Sequence, residues 1–448
     1  MQPSPSRQHC PDLVRPLRLA LLLALTGATT LVSAATLGEI LDQARRSDPI
    51  YAAAVAAKAA GREKQVQGRA GLLPTVNLSG NIRENQDQGQ SAGGTRSYQS
   101  GAVALTLNQP LFRRANVVAN EQGELQAMLA QLQLRAAEQD LLLRVSRGYF
   151  EVLQAQDALQ SLGAQKDAFA QQLAQAKRSF EVGVAPVTDV SEAQARHDLT
   201  VAQEITARNE LELKRRALER LIDRELPPLA LLDDAATLEL MTSRAMADLA
   251  ERAPQQSAQV AIAQALADVA QRELARQDSG HLPTADLVAS VSEIRNANYG
   301  SLGANSLRQA SVGIEVTLPL YQGGAVSSRV REAAANLERA RQDLENARRQ
   351  ARQEARQAML SAVNGGALQK ALREALASSE TQARATRRGL EVGMRTRVDV
   401  LNAEQQVHAT RRDLSAARYQ TILASLQLKA AAGVLGEADV RGLDRLLK

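Results

Sequence analysis

The chain carries one structural plan twice, and this constrains its fold more than any other feature of the sequence. Phe180-Glu181-Val182-Gly183 returns as Leu390-Glu391-Val392-Gly393, and Thr188-Asp189-Val190 as Val398-Asp399-Val400, both 210 residues later. His281-Leu282-Pro283-Thr284 repeats Leu72-Leu73-Pro74-Thr75, and Pro319-Leu320-Tyr321 repeats Pro110-Leu111-Phe112, each at an offset of 209. Markers that keep register across four separate stretches indicate a duplicated unit.

Within the first unit, Leu37, Ile40, Leu41 and Ala44 recur at helical spacing, which predicts a helix over 36–73 with a break at Pro49. At Pro74 the period changes to two: Val76, Leu78, Gly80 and Ile82 alternate with Asn77, Ser79, Asn81 and Arg83. A Gly/Ser/Gln segment over 86–97 reads as a loop, and Val103, Leu105 and Leu107 resume the alternation up to Pro110, giving a hairpin of two strands. A helical run over about 113–183 follows, roughly 100 Å if straight. Its Leu125, Leu129, Leu132, Ala136 and Leu143 follow coiled-coil spacing, so it must lie against other long helices. A tip at 180–190 turns the chain into a return helix over about 189–224. The second unit predicts a helix over 236–280, strands over about 284–295 and 309–318, a long helix over about 325–393, a tip at 390–402 and a last helix ending near 432. The expected division is therefore 36–224, a linker at 225–235, 236–432 and a C-terminal segment at 433–448.

Composition agrees with long helices rather than an aromatic-cored enzyme, since only 2% of residues are aromatic and none is Trp. Arginines interleave with Glu and Asp, so the net charge of +5 describes solvated helical faces, and no nucleic-acid partner is expected. Arg7, Arg15 and Arg18 precede the apolar run 19–32 and the small residues Val32-Ser33-Ala34, the pattern of a secretory signal peptide over 1–35. Cys10, the sole cysteine, would leave with it, so the exported chain would have no thiol, disulfide or acylated N-terminal Cys. No stretch of 18 or more apolar residues remains to cross a membrane as a helix. The histidines His197, His281 and His408 lie far apart without metal-ligand spacing, and no phosphate loop or nucleophile motif is present. No enzyme activity, cofactor or metal is expected.

Four strands that alternate apolar and polar, in an exported chain, suit an outer-membrane barrel with one face on lipid. Four cannot close; two copies would give eight strands and a filled bore, so an open pore needs at least three copies. Phe112 and Tyr321, just past Pro110 and Pro319, then fall at the membrane edge, where aromatics are enriched. The rival from another class is a periplasmic coiled-coil adaptor or structural envelope protein, whose strands would form soluble domains. Near the tips, Asp189 with Glu192 reads as a D-x-x-E capping box, whereas Asp399 has no Glu three residues on. Gly183 and Gly393 read as helix C-caps.

On 280–284, 318–324 and Val392-Gly393 through Val398-Asp399-Val400-Leu401, the chain resembles the TolC-type outer-membrane efflux and type I secretion channel family over essentially its whole length after the leader. Lacking a lipidated Cys, it is similar to the branch without an acyl anchor. The resemblance implies a homotrimer in the outer membrane of a Gram-negative cell, with a twelve-stranded barrel above an α-helical periplasmic tunnel. It implies an equatorial collar built from 225–237 and the C-terminal segment. It implies a periplasmic adaptor docked on the tips, at Gly183, Val184, Gly393 and Met394, and an inner-membrane ABC or proton-driven transporter supplying the energy. It also implies a gated mouth. Arg395 would latch onto Thr188-Asp189, the position of a latching Tyr is Leu390, and the two-Asp constriction is represented by Asp399 and Asn402.

Overall fold

The computed structural model describes residues 34–89, 94–233, 241–297 and 305–448. The expected leader over 1–35 lies almost wholly outside them. In chain order the elements are α1 (Leu37–Ser47), α2 (Pro49–Ala70), β1 (Thr75–Gly89), β2 (Gly94–Phe112), α3 (Arg114–Glu181) and α4 (Val187–Ile222). The second unit supplies α5 (Ser243–Gln256), α6 (Ala258–Asp278), β3 (Thr284–Ala297), β4 (Asn305–Thr317), α7 (Ala325–Glu391) and α8 (Arg397–Ala431), and α9 (Glu437–Leu443) ends the chain.

The helix expected over 36–73 is two helices. The Asp48 carboxylate accepts from the Ile50 and Tyr51 amides at 2.6 and 3.2 Å, and Pro49 opens α2 where its missing N–H costs nothing. The helix expected over 236–280 is also two, α5 and α6, meeting at Ser257 just after Pro254. The 86–97 segment is not a loop throughout, because β1 runs to Gly89 and β2 begins at Gly94. Beyond a lipid layer the apolar alternation is no longer required, yet backbone pairing continues.

The two hairpins join in one antiparallel sheet of order β1-β2-β3-β4. They match residue for residue at the duplication offset: Thr75 opposite Asn108 becomes Thr284 opposite Thr317. One face carries Val76, Leu78, Ile82, Leu105, Val291 and Ile314, all exposed. The other carries Asn77, Ser79, Thr106 and Ser290. From Val76 to Ile82 the apolar band spans roughly 20 Å along the strand, near the height of a barrel's lipid-facing band. On the same face, level with Gly80 and Ile82 at the far end of the band, Glu293 pairs with Arg295 at 2.5 Å and Arg308 at 3.0 Å. At the base, a bulge between Pro110 and Phe112 shifts the register, so Phe112 opposes Ala285 and turns to the apolar face. Arg113 forks onto Asp286 at 2.6–2.8 Å and ties the sheet to the start of α3.

α3 and α7, of 68 and 67 residues, carry the chain about 100 Å from the sheet to the tips. Midway lies the main apolar core, where Ile40 and Leu41 of α1, Phe150 and Leu153 of α3, Ile222 of α4, Ile422 of α8 and Val440 of α9 meet. The buried Tyr149 hydroxyl donates toward the Ala35 and Ala230 carbonyls at 3.1 and 2.8 Å. Leu231 and Lys448 exchange backbone hydrogen bonds of 3.0 and 2.8 Å, which brings the 225–233 segment and the chain end into this collar.

Candidate functional site

Both tips are built from the same local rule. α3 ends when Gly183 takes φ +77, with its amide on the Phe180 carbonyl at 2.9 Å and the Val184 amide on Ser179 at 2.9 Å. α7 ends identically at Gly393, φ +78, with amides of Gly393 and Met394 on Leu390 (3.1 Å) and Gly389 (2.7 Å). These are Schellman motifs, which need a residue tolerant of the left-handed region. The C-caps themselves are Val182 and Val392, and each glycine stands one residue past them, in the left-handed conformation. Val182, Val184, Val392 and Met394 project outward and are 70–81% exposed. Four large apolar side chains are thus left in solvent at the ends of the long helices.

The return helices start differently. Thr396 is the N-cap of α8: its hydroxyl accepts from the Asp399 amide at 3.1 Å, while the Asp399 carboxylate accepts from the Thr396 amide at 2.9 Å. Asp399 therefore is a capping residue, because the cap lies three residues before it rather than at it. The Thr396 amide, with the Thr396 hydroxyl and Arg395 nearby, holds the Asp399 carboxyl below the usual aspartate range. At the same place in the first unit stands Pro186, which has neither an N–H nor a side-chain acceptor. Asp189 is thus inside the first turn of α4, and the expected capping box of Asp189 with Glu192 does not form. Among the described residues the Asp189 carboxylate has no hydrogen bond or ion pair within its own chain.

Thr188 is exposed, and Asp189 lines a cavity of about 340 Å³ with Arg387, Leu390, Arg397 and Glu404. Arg395 folds its stem over Gly389, where a Cβ would lie 2.7 Å from its Cγ. Within one chain, among the described residues, no bond joins Arg395 to Thr188 or Asp189. The bond that does cross between the tips is Arg397 Nη2 to Ser179 Oγ at 2.7 Å. Deeper in, Glu404, only 8% exposed, accepts from Gln172 of α3 and Arg387 of α7. Ser179, Arg387, Arg397, Gln172 and Glu404 escaped the sequence reading; their signal is polar residues at heptad spacing on faces that must be buried. Asn402 sits exposed one turn beyond Asp399. At the far end, Phe112 lies in the paired strand β2, while Tyr321 follows β4 and is 88% exposed.

No helix of the described residues is long and apolar enough to cross a membrane; the sheet, with its exposed apolar band, is the part suited to lipid. Comparison with known proteins agrees. The outer membrane efflux protein family matches residues 40–223 and 249–434, one segment in each repeat. Outer membrane protein TolC of Vibrio cholerae is 34% identical, with 95% of this chain and 97% of that protein covered. Proteases secretion protein PrtF of Dickeya chrysanthemi is 33% identical, over 95% and 93%. Among solved structures, the outer membrane protein VceC of Vibrio cholerae superposes with a TM-score of 0.76 at 18% identity, over 89% of this chain and 96% of that one. CusC superposes with a TM-score of 0.77 at 16% identity, over 94% and 99%. The fold is that of outer-membrane channels, and the chain belongs to the outer membrane efflux protein family: it is an exit duct in the outer membrane of a Gram-negative cell, with a helical extension into the periplasm.

Proposed function

We propose that three copies of this chain form one duct, a twelve-stranded barrel continued by a helical tunnel whose periplasmic mouth is made by the six tips. The observation that carries this reading is the four-stranded sheet with an exposed apolar face and two unpaired edges, β1 and β4. In lipid an unpaired strand edge is prohibitive, so β4 must meet β1 of another copy until the ring closes. Phe112 and Tyr321 sit at the membrane edge. The apolar tips around Gly183, Val184, Gly393 and Met394 dock a periplasmic adaptor, and an inner-membrane ABC or proton-driven pump supplies the energy. Cargo follows the relatives: PrtF is named for protease secretion and the family for efflux, which supports type I protein secretion, efflux of small molecules, or both, through this duct.

In this reading Asp399 provides the constriction with three carboxylates, Asn402 adding none, and the uncommitted Asp189 with Thr188 receives Arg395 from the neighbouring hairpin. Because Leu390 offers no hydroxyl, the mouth is held by fewer bonds than the family pattern provides. Single-channel recording in a planar bilayer tests both parts. Asp399→Asn keeps an acceptor for the cap and removes the charge, so the cation preference of the wild-type pore falls toward unity. Arg395→Ala raises conductance; unchanged conductance removes Arg395 from the latch, and unchanged selectivity removes Asp399 from the constriction.

A further inference from the structure

A concavity of about 1010 Å³ lies on the apolar face of the sheet. It exists because two residues of that face have no side chain. Gly80 stands opposite Val103, and Gly101 stands opposite both Ile82 on β1 and Arg295 on β3. The two glycines are diagonal neighbours, so their gaps join into one slot, walled by Leu78, Ile82 and Val103, that leads up to Arg295. A Cβ on either glycine would meet only a backbone oxygen, at 3.8 Å, so no neighbour fills the slot.

The far end of the slot is charged. On β3 the apolar row ends at Val291 and on β4 at Ala310; Glu293, Arg295 and Arg308 come next on the same face. Glu293 Oε1 accepts from Arg295 Nε at 2.6 Å, and Oε2 accepts from Arg308 Nε at 3.0 Å. One carboxylate thus holds two guanidiniums side by side, and the trio keeps one net positive charge. The arginines remain 73% and 80% exposed. Among the described residues the Nη atoms of Arg308 make no bond, and Glu84, across β2 from Arg295, bonds to neither arginine. A carboxylate on a lipid-facing wall is costly unless paired, and here its pairing aims donors outward. An open apolar slot that ends at paired guanidiniums has both halves of a lipid site, one for an acyl chain and one for a phosphate. Charge selects the headgroup. A phosphomonoester carries about −1.5 to −2 charge at neutral pH and three acceptor oxygens, enough for both guanidiniums. A phosphodiester offers fewer of each.

We propose that Arg295 and Arg308, held by Glu293, bind the phosphomonoester of an acylated sugar lipid of the outer leaflet, whose acyl chain lies in the Gly80–Gly101 slot, one lipid per chain. The inference rests on the barrel reading, which sets this face against lipid and the charged end of the slot away from the periplasmic helices. The test is lipid titration of the detergent-extracted, assembled protein, with bound lipids counted by native mass spectrometry. The probes are a hexa-acylated glucosamine disaccharide bearing two phosphates, the same lipid dephosphorylated, phosphatidylglycerol and inorganic phosphate. The phosphorylated disaccharide binds saturably, one per chain. Removing its phosphates, or Arg295→Gln with Arg308→Gln, weakens binding roughly tenfold or more. Gly80→Leu with Gly101→Leu leaves the charges in place and weakens it severalfold. Phosphatidylglycerol binds less tightly, and millimolar inorganic phosphate does not displace the lipid. Unaltered binding by the arginine or the leucine variant overturns the site, as does equal binding of the dephosphorylated lipid or of phosphatidylglycerol. Displacement by inorganic phosphate makes it a free-anion site and overturns the lipid assignment. A protein that leaves the membrane fraction without detergent instead overturns the barrel reading.

Discussion

At the start of α8 the Thr396 amide is satisfied by the Asp399 carboxylate at 2.9 Å, and this single bond has a pH signature. A carboxyl held below its ordinary range stabilises the fold fully above its unfolded pKa, about 3.9, and loses that contribution as pH falls through the depressed value. Hydrogen exchange of the Thr396 amide in detergent-held protein should therefore lose protection on acidification below about pH 4. Asp399→Asn, which has no proton to take up, should have a flat profile over the same range; a wild-type profile as flat would remove the carboxylate from the cap. The sequence marked this aspartate and its equivalent Asp189 but put the capping box on Asp189, whereas the structure has it on Asp399. D-x-x-E is a local pattern, and whether it caps depends on where the chain leaves the preceding turn. Pro186 fixes that point in the first unit and Thr396 in the second.

At the scale of elements, α2 and α3 approach closely because glycines face backbone. A Cβ on Gly123 would lie 2.5 Å from the Lys64 carbonyl oxygen, and one on Gly68 would lie 2.8 Å from that of Ala119. α2 buries no residue fully, so this close approach is what keeps it seated. Gly123→Ala gains helix propensity but overpacks the contact, a net loosening of about 1.4 kcal/mol. Trypsin cleavage at Arg62, Lys64 and Arg69 of folded protein should then accelerate roughly tenfold, and an unchanged rate would mean that the helices separate at no cost. The long helices, the tips and both hairpins were legible because 3.6- and two-residue periods are local and the duplication supplied each twice. The strand ends were not, since 86–89 and 94–97 pair through backbone without any alternation of side chains.

At the scale of the whole molecule, the duplication fixes how copies meet. Ala104 opposes Ser292 where β2 pairs with β3. Carried over by the 209-residue offset, the same junction between β4 and the next copy's β1 puts Gly313 opposite Arg83. Arg83→Cys with Gly313→Cys, oxidised in the outer membrane, should migrate as a covalent trimer on a non-reducing gel; cysteines moved one residue along either strand, which point to opposite faces, should not crosslink. Protomer-sized bands alone from the matched pair would reject this closure. The collar was the least legible part. Ala35, Leu229, Tyr149 and Val440 come from four distant stretches, and nothing periodic in any of them announces the others.

The two unpaired strand edges have a thermodynamic corollary. A fold whose boundary is satisfied only by further copies of itself has no meaningful stability per chain, and the amount of folded trimer follows the third power of the free-chain concentration. Dilution therefore acts on this protein as a denaturant does on a monomeric one. A lone chain travelling toward the membrane with its apolar band exposed is also a substrate for aggregation or escort.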